Sequence, residues 1–274
     1  MPAINTNAAA NAAVRYLNLN SAQETSSLSK LSSGSRITSA SDDAAGLAIS
    51  TRISSDVTTL QQAATNSSQA TSILQTADGG ASNISDILAR MKSLASESAS
   101  GTTTDSSRAY INSEFSQLSS EIDSIASGTR YSNQSLLDGT SVFASGVSVL
   151  VGSSSTDTIT VTLSSLKASA LGVSTLDVTT QTGANTALTA LDTAINTVSA
   201  ARASIGAQES RFNFSSDSIS TQTQNLQSAN SAIKDVDIAA EQAKLSSAEV
   251  KTQAAVSAEA AANQMPQYLL KLLG

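Results

Sequence analysis

Three Ser-x-x-Lys pairs, Ser27/Lys30, Ser164/Lys167 and Ser231/Lys234, are the closest approach to a nucleophile with an amine base in this 274-residue chain. None has the companion motifs that such a serine needs, and Ser is abundant enough to give such matches by composition alone. Asp42-Asp43 offers adjacent carboxylates to a hard cation. Their place before an apolar stretch reads better as a helix cap and acidic first turn, where each charge favours the helix dipole by about 0.5 kcal/mol. Gly101-Thr102-Thr103-Thr104-Asp105 lacks the Lys of a phosphate loop and reads as a turn that ends one helix and caps the next. Asn-x-Ser at Asn66, Asn83, Asn133 and Asn213 is what a Ser-rich chain contains, and three of the four fall in expected helices.

The missing residue types exclude more chemistry than the present ones suggest. The chain has no His, no Cys and no Trp. That removes Cys/His zinc sites, haem ligation through those side chains, Ser-His-Asp and Cys-His nucleophiles, and disulfides. A net charge of −7 with few basic clusters argues against nucleic acid as a partner. No apolar run approaches 18 residues, so no membrane span is expected. The start lacks a basic n-region and an apolar h-region, so export would read something other than a cleavable leader. No catalytic, metal or cofactor constellation remains, and a non-enzyme is expected.

The elements themselves therefore carry the information. Ala and Ser make up about a third of the chain, and both prolines, Pro2 and Pro266, lie at its extremities. The interior permits very long helices. Leu191, Val198, Ile205, Phe212, Ile219, Leu226 and Ile233 recur every seven residues, which predicts a seam facing a partner in a left-handed supercoil. Ile53, Leu60, Leu74, Ala81, Leu88 and Ala95 hold the matching position in the N-terminal half, with Ser67 the exception. Ala63, Ala70, Ala77, Ile84 and Met91 sit three residues further on. A third helix from about Asp105 carries Ile111, Phe115, Leu118, Ile122 and Ile125. The pattern predicts a mainly α fold, in which the two chain halves form a long antiparallel bundle or coiled coil. A helix from about Asp43 to Ala99 would be roughly 80 Å long at about 1.5 Å per residue, which suits a rod.

Between the halves, Val142-Phe143, Val147–Val151 and Thr158–Leu163 are short and β-branched, separated by Gly146 and the Gly152–Asp157 run. They predict a small β-hairpin region. At the two ends, Val14, Leu17, Leu28 and Leu31, and then Ile238, Leu245, Val256 and Leu269, mark helices too thinly apolar to offset their own ordering entropy. Such segments are expected to order on association, which makes the termini the expected assembly surfaces. The expected division is 1–34 plus 236–274 for the terminal helices, 35–46 for a connecting spoke, 47–139 plus 183–235 for the bundle, and 140–182 for the β-rich region.

The stretch Leu31-Ser32-Ser33-Gly34-Ser35-Arg36-Ile37-Thr38-Ser39-Ala40-Ser41-Asp42-Asp43-Ala44-Ala45-Gly46-Leu47-Ala48-Ile49-Ser50 resembles bacterial flagellin. So do Ile4-Asn5-Thr6-Asn7, Leu136-Leu137-Asp138-Gly139 and the ending Ala261-Ala262-Asn263-Gln264-Met265-Pro266-Gln267. The resemblance covers about 1–140 and 185–274, and the roughly 45 residues between leave no room for a large outer domain. It implies a secreted subunit of the flagellar filament that polymerises with itself for motility. It also implies passage through the flagellar export apparatus with a chaperone, and contact with junction and cap proteins. Leu88–Ala95 is similar to the segment bound by the innate immune flagellin receptor, with Arg90, Leu94 and Glu114 matching that pattern. Ala89 and Glu97 stand where Gln is common. Two alternatives remain at this stage: a hook–filament junction protein of the same helical family, and a cell-surface binding module built on 140–182, where Phe143 is the single aromatic.

Overall fold

The computed structural model describes residues 7–273, without the side chains of 266 and 268–273. In chain order the elements are α1 Ala8–Ser33, α2 Ala44–Ala99, α3 Asp105–Gly128, β1 Arg130–Tyr131, β2 Gln134–Ser135, α4 Val142–Ser145, β3 Val147–Leu150, β4 Thr158–Val161, α5 Gln181–Lys234 and α6 Ile238–Leu273. The fold is mainly α, with long antiparallel helices and small two-stranded hairpins. They form two compact units, Met1–Ser55 with Asn225–Gly274, and Asp56–Gln224.

The second unit holds the main core. Within it α2 and α5 run antiparallel: Asp78 on α2 accepts from Arg202 at 2.8 and 3.1 Å, while Lys92, further along α2, meets Asp192, further back on α5. Leu60, Leu74, Leu88, Leu191, Val198, Ile205, Phe212 and Ile219 are all buried, as are Ala63, Ala70, Ala77, Ile84 and Met91. Small residues between the large ones let the backbones approach. Gly80 makes room for the segment after α3, since a Cβ there would lie 2.4 Å from Thr129 Oγ1. Ser67 breaks the apolar seam at little cost, because its buried hydroxyl donates to Ala63 O one turn back.

α3 closes the core with Ile111, Phe115 and Ile122 buried, and Leu118 and Ile125 half-buried. Its start is tied to the end of α2 by Arg108, which is 8% exposed. Arg108 donates to Ser98 O and Ser100 O, each at 2.9 Å, and to Asp105. A guanidinium thus satisfies carbonyls that the end of α2 leaves unpaired. The Gly101–Asp105 segment is the turn expected, and Thr104 caps α3 by accepting from Ser107 N.

The middle region differs from its sequence reading in three ways. Val142-Phe143, expected as strand, starts the one-turn helix α4, with Ser141 before it and Gly146 at φ 96° ending it. The strands are shorter than the apolar runs: β3 and β4 pair antiparallel from Val147↔Val161 to Leu150↔Thr158. Beyond them the chain to α5 is irregular rather than β-rich, and buries Leu166, Ala168, Leu171, Val173 and Val178. Gln208 of α5 closes the end of β4, its amide accepting from Thr162 N and donating to Thr162 O, both at 3.0 Å. The tiny β1–β2 hairpin was not foreseen; it turns through Ser132 (φ 48°) and Asn133 (φ 67°), and Ser gives little sequence signal for that geometry. Phe143 is buried, so it supplies no stacking surface for a sugar.

In the first unit the chain after α1 turns at Gly34 (φ 67°) and is stitched to the segment before α6. Val236 N donates to Gly34 O at 3.1 Å, and Arg36 N donates to Lys234 O at 2.6 Å. Asp42 accepts from Thr38 N, Ser39 N and the Thr38 hydroxyl, which brings its pKa down to about 2. Asp43 caps α2 by accepting from Gly46 N at 2.8 Å. At the start of α2, Ser50 donates to Asn230 at 2.7 Å and Asn230 donates to Ser54 at 3.2 Å, which ties α2 to the end of α5. Ile53, Leu226 and Ile233, at this end of the seam, are half-buried.

Candidate assembly surfaces

Helices α1 and α6 are built from Ala, Ser, Gln and Asn, with few large apolar residues. They pack antiparallel along their lengths. Among the protected residues of α1, Ala10, Ala13, Leu17, Asn20, Glu24, Ser27 and Leu31 alternate by three and four. Those of α6 do the same: Glu241, Leu245, Ala248, Thr252, Ala255, Glu259 and Ala262. This is a heptad seam made largely of small and polar residues. Asn7, which also caps α1, donates to Ala262 O at 2.7 Å, and Thr252 donates to Glu24 at 3.3 Å.

The strongest polar tie is Ser27 to Glu241, both buried, at 2.7 Å. Glu241 also accepts from Lys244 at 3.0 Å, and these two donors hold its carboxyl below the usual range. Neither residue stood out in the sequence, where Ser27 looked like half of a Ser-x-x-Lys match. The one available signal was the seven-residue spacing of Glu241, Ala248, Ala255 and Ala262.

The terminal apolar residues divide between inside and outside. Leu17 and Leu31 are half-buried and Leu245 is buried. Val14, Leu28, Ile238 and Val256 are 38%, 58%, 65% and 49% exposed. The seam passes Leu17 and Leu31 and steps between them through Asn20, Glu24 and Ser27, leaving Val14 and Leu28 outside it. Leu269 lies in α6, but its side chain is outside the described residues. The pair is thus sealed mainly by Ala and polar residues, with Leu17, Leu31 and Leu245 turned inward and Val14, Leu28, Ile238 and Val256 in water.

In the second unit, Arg90 and Glu114 form an ion pair across α2 and α3 at 2.7 Å, with side chains 55% and 46% exposed. A pair so open contributes under about 1 kcal/mol. Leu94, next to Arg90 by helical turn, is buried in the core. Among the described residues, no group of three or more acidic, His or Cys side chains could hold a metal ion, and no helix is long and apolar enough to cross a membrane.

The fold defines a class: a mainly helical chain of long antiparallel helices whose two end helices pair with each other. The sequence families agree. Residues 4–142 match the bacterial flagellin N-terminal helical region and residues 188–273 its C-terminal helical region. The chain is 37% identical to flagellin of Halalkalibacterium halodurans over 98% of its length and 99% of that protein's. It is 35% identical to flagellin of Listeria monocytogenes, and 33% identical to the flagellar filament 30.7 kDa core protein of Treponema maltophilum, each over the same shares. Its structure is similar to that of Bacillus cereus flagellin, with a TM-score of 0.52 at 31% identity, covering 61% of this chain and 94% of that one. A putative flagellar hook-associated protein from Vibrio parahaemolyticus shares the fold, with a TM-score of 0.59 at 15% identity, over 71% of this chain and all of that one. The chain belongs to the bacterial flagellin family. It is a structural subunit of the flagellar filament and serves motility.

Proposed function

We propose that the α1/α6 pair is the surface through which this subunit polymerises: assembly covers Val14, Leu28, Ile238 and Val256, completes the burial of Leu17 and Leu31 and takes in Leu269, while Leu245 anchors the pair from inside. The observation that carries this reading is the exposure of Val14, Leu28, Ile238 and Val256 on a helix pair sealed mainly by Ala and polar residues. Burying a large aliphatic side chain contributes about 1.5–3 kcal/mol, more than any Ala contact in the seam supplies. The contact is heterologous, so copies add without closing into a pair. The seam Ile53, Leu60, Leu74, Leu88, Leu191, Val198, Ile205, Phe212, Ile219, Leu226 and Ile233 gives each copy the stiffness to transmit torque.

The same reading extends to the life of the chain. It is secreted and works outside the cell, in the filament. It passes the flagellum's own export apparatus unfolded, with a chaperone shielding the terminal apolar residues. Thinly packed ends and a chain free of Cys suit that route. Junction and cap proteins of like helical build meet the ends of the polymer. Catalysis and cofactors play no part. The exposed Arg90–Glu114 pair, one helical turn from buried Leu94, is the contact offered to the host innate immune flagellin receptor.

Leu28→Asp and Ile238→Asp test the assembly surface. Both sites are exposed, so each monomer keeps its fold by circular dichroism while seeded polymerisation is lost. Full polymer yield from both variants would refute the reading.

A further inference from the structure

The α1/α6 pair has two unlike faces, and they are complementary. On one face a groove of about 610 Å³ runs between the helices, with exposed Leu19 on its α1 side and Lys244 and Lys251 on its α6 side. Lys30 lies seven residues after Gln23 of the same lining, which continues the positive character. Helical periodicity places the exposed Ile238 and Val256 on the opposite flank of α6, and Val14 and Leu28 on the matching flank of α1. Along that flank of α6 the one charge outside the seam among the described residues is Glu249, which is exposed. Among the described residues neither Glu249 nor Lys251 has an ion-pair partner.

Resting on the reading above that this pair is the polymerising surface, we infer that the contact is face to back: the apolar flank of one copy seats on the groove of the next, and Glu249 pairs with the next copy's lysine rim at Lys251. Charge complementarity selects a second copy of this chain as the occupant, because the acid and the lysine belong to the same helix and point to opposite sides. Each copy therefore has one groove filled and one flank offered. A two-fold pairing would set lysine against lysine, or glutamate against glutamate.

Charge exchange in the full-length chain tests this. Glu249→Lys and Lys251→Glu should each lower seeded polymer yield at least tenfold, while leaving the helical content of the monomer unchanged. The double variant should regain at least half of the original yield. An equimolar mixture of the two single variants should also polymerise, because each then offers the other an opposite charge. Single variants that polymerise normally, or a double variant and a mixture that do no better than the singles, would overturn the inference. Removal of 238–273 separates this failure from failure of the underlying reading. If truncation abolishes polymer and charge exchange rescues nothing, the surface stands and the pairing falls; if the truncated chain polymerises, the surface itself is wrong.

Discussion

The Ser27 hydroxyl donates to Oε1 of Glu241 at 2.7 Å across the α1/α6 seam, and both residues are buried among small side chains. Hydrogen bonds to charged groups contribute about 1.5–3 kcal/mol. Ser27→Ala removes the donor and leaves the carboxylate buried with Lys244 alone. The expected result is a loss of about that size in the stability of the helix pair, read by denaturation of assembled polymer.

The same pair fixes a pH dependence. Glu241 has a folded pKa below its ordinary value of 4.5, chiefly through Ser27 and then Lys244. Its stabilising contribution is therefore complete above about pH 4.5 and fades as pH falls through the lowered value. Wild type and Glu241→Gln should differ in polymer stability at neutral pH and converge in acid. A difference that persisted unchanged at pH 2 would assign the effect to shape rather than charge.

Adjacent glycines in α2 should respond with opposite signs. Gly79 faces open space, so Gly79→Ala should stabilise the second unit by about 0.5–1 kcal/mol through helix propensity. A Cβ on Gly80 would collide with Thr129 Oγ1 at 2.4 Å and Leu137 Cδ1 at 2.9 Å. Gly80→Ala should destabilise by about 1–3 kcal/mol as neighbours are forced aside. Urea titration of both variants checks the contrast.

Arg108 cannot be replaced by another cation. Its guanidinium reaches two carbonyls and a carboxylate at once, and a lysine ammonium lacks that fork. Arg108→Lys should cost about 1–3 kcal/mol in thermal or urea unfolding. Asp105→Asn should cost less, since the Asp105 side chain is 95% exposed.

A charge placed in the seam tests the bundle itself. Ile219 is 3% exposed, and Ile219→Asp would bury a carboxylate without a partner. Filaments should be absent and cells non-motile. Normal filament yield would contradict the seam.

The long helices were legible because a seven-residue apolar repeat has one reading over five or more turns, and Phe212 or Leu88 had nowhere else to go. The α1/α6 seam was not, since Ala and Ser can face either way and only the partner helix decides. Between Leu17 and Leu31 the seam steps through Asn20 and Ser27, polar residues that hydropathy alone assigns to water. Val142-Phe143 read as strand from β-branching and aromatic character, but a four-residue segment follows its neighbours, here Ser141 and Gly146. Gln208 and Arg108 act through backbone groups distant in sequence, and no local pattern announces such partners.

Hydrogen exchange measured on monomer and on polymer tests the central claim most directly. In monomers, amides of 8–33 and 238–265 should exchange far faster than those of 190–219, where Leu191, Val198, Ile205 and Phe212 are buried. In polymer the terminal amides should become as protected as the bundle. Terminal helices already fully protected in dilute monomer, with no gain on assembly, would contradict the account.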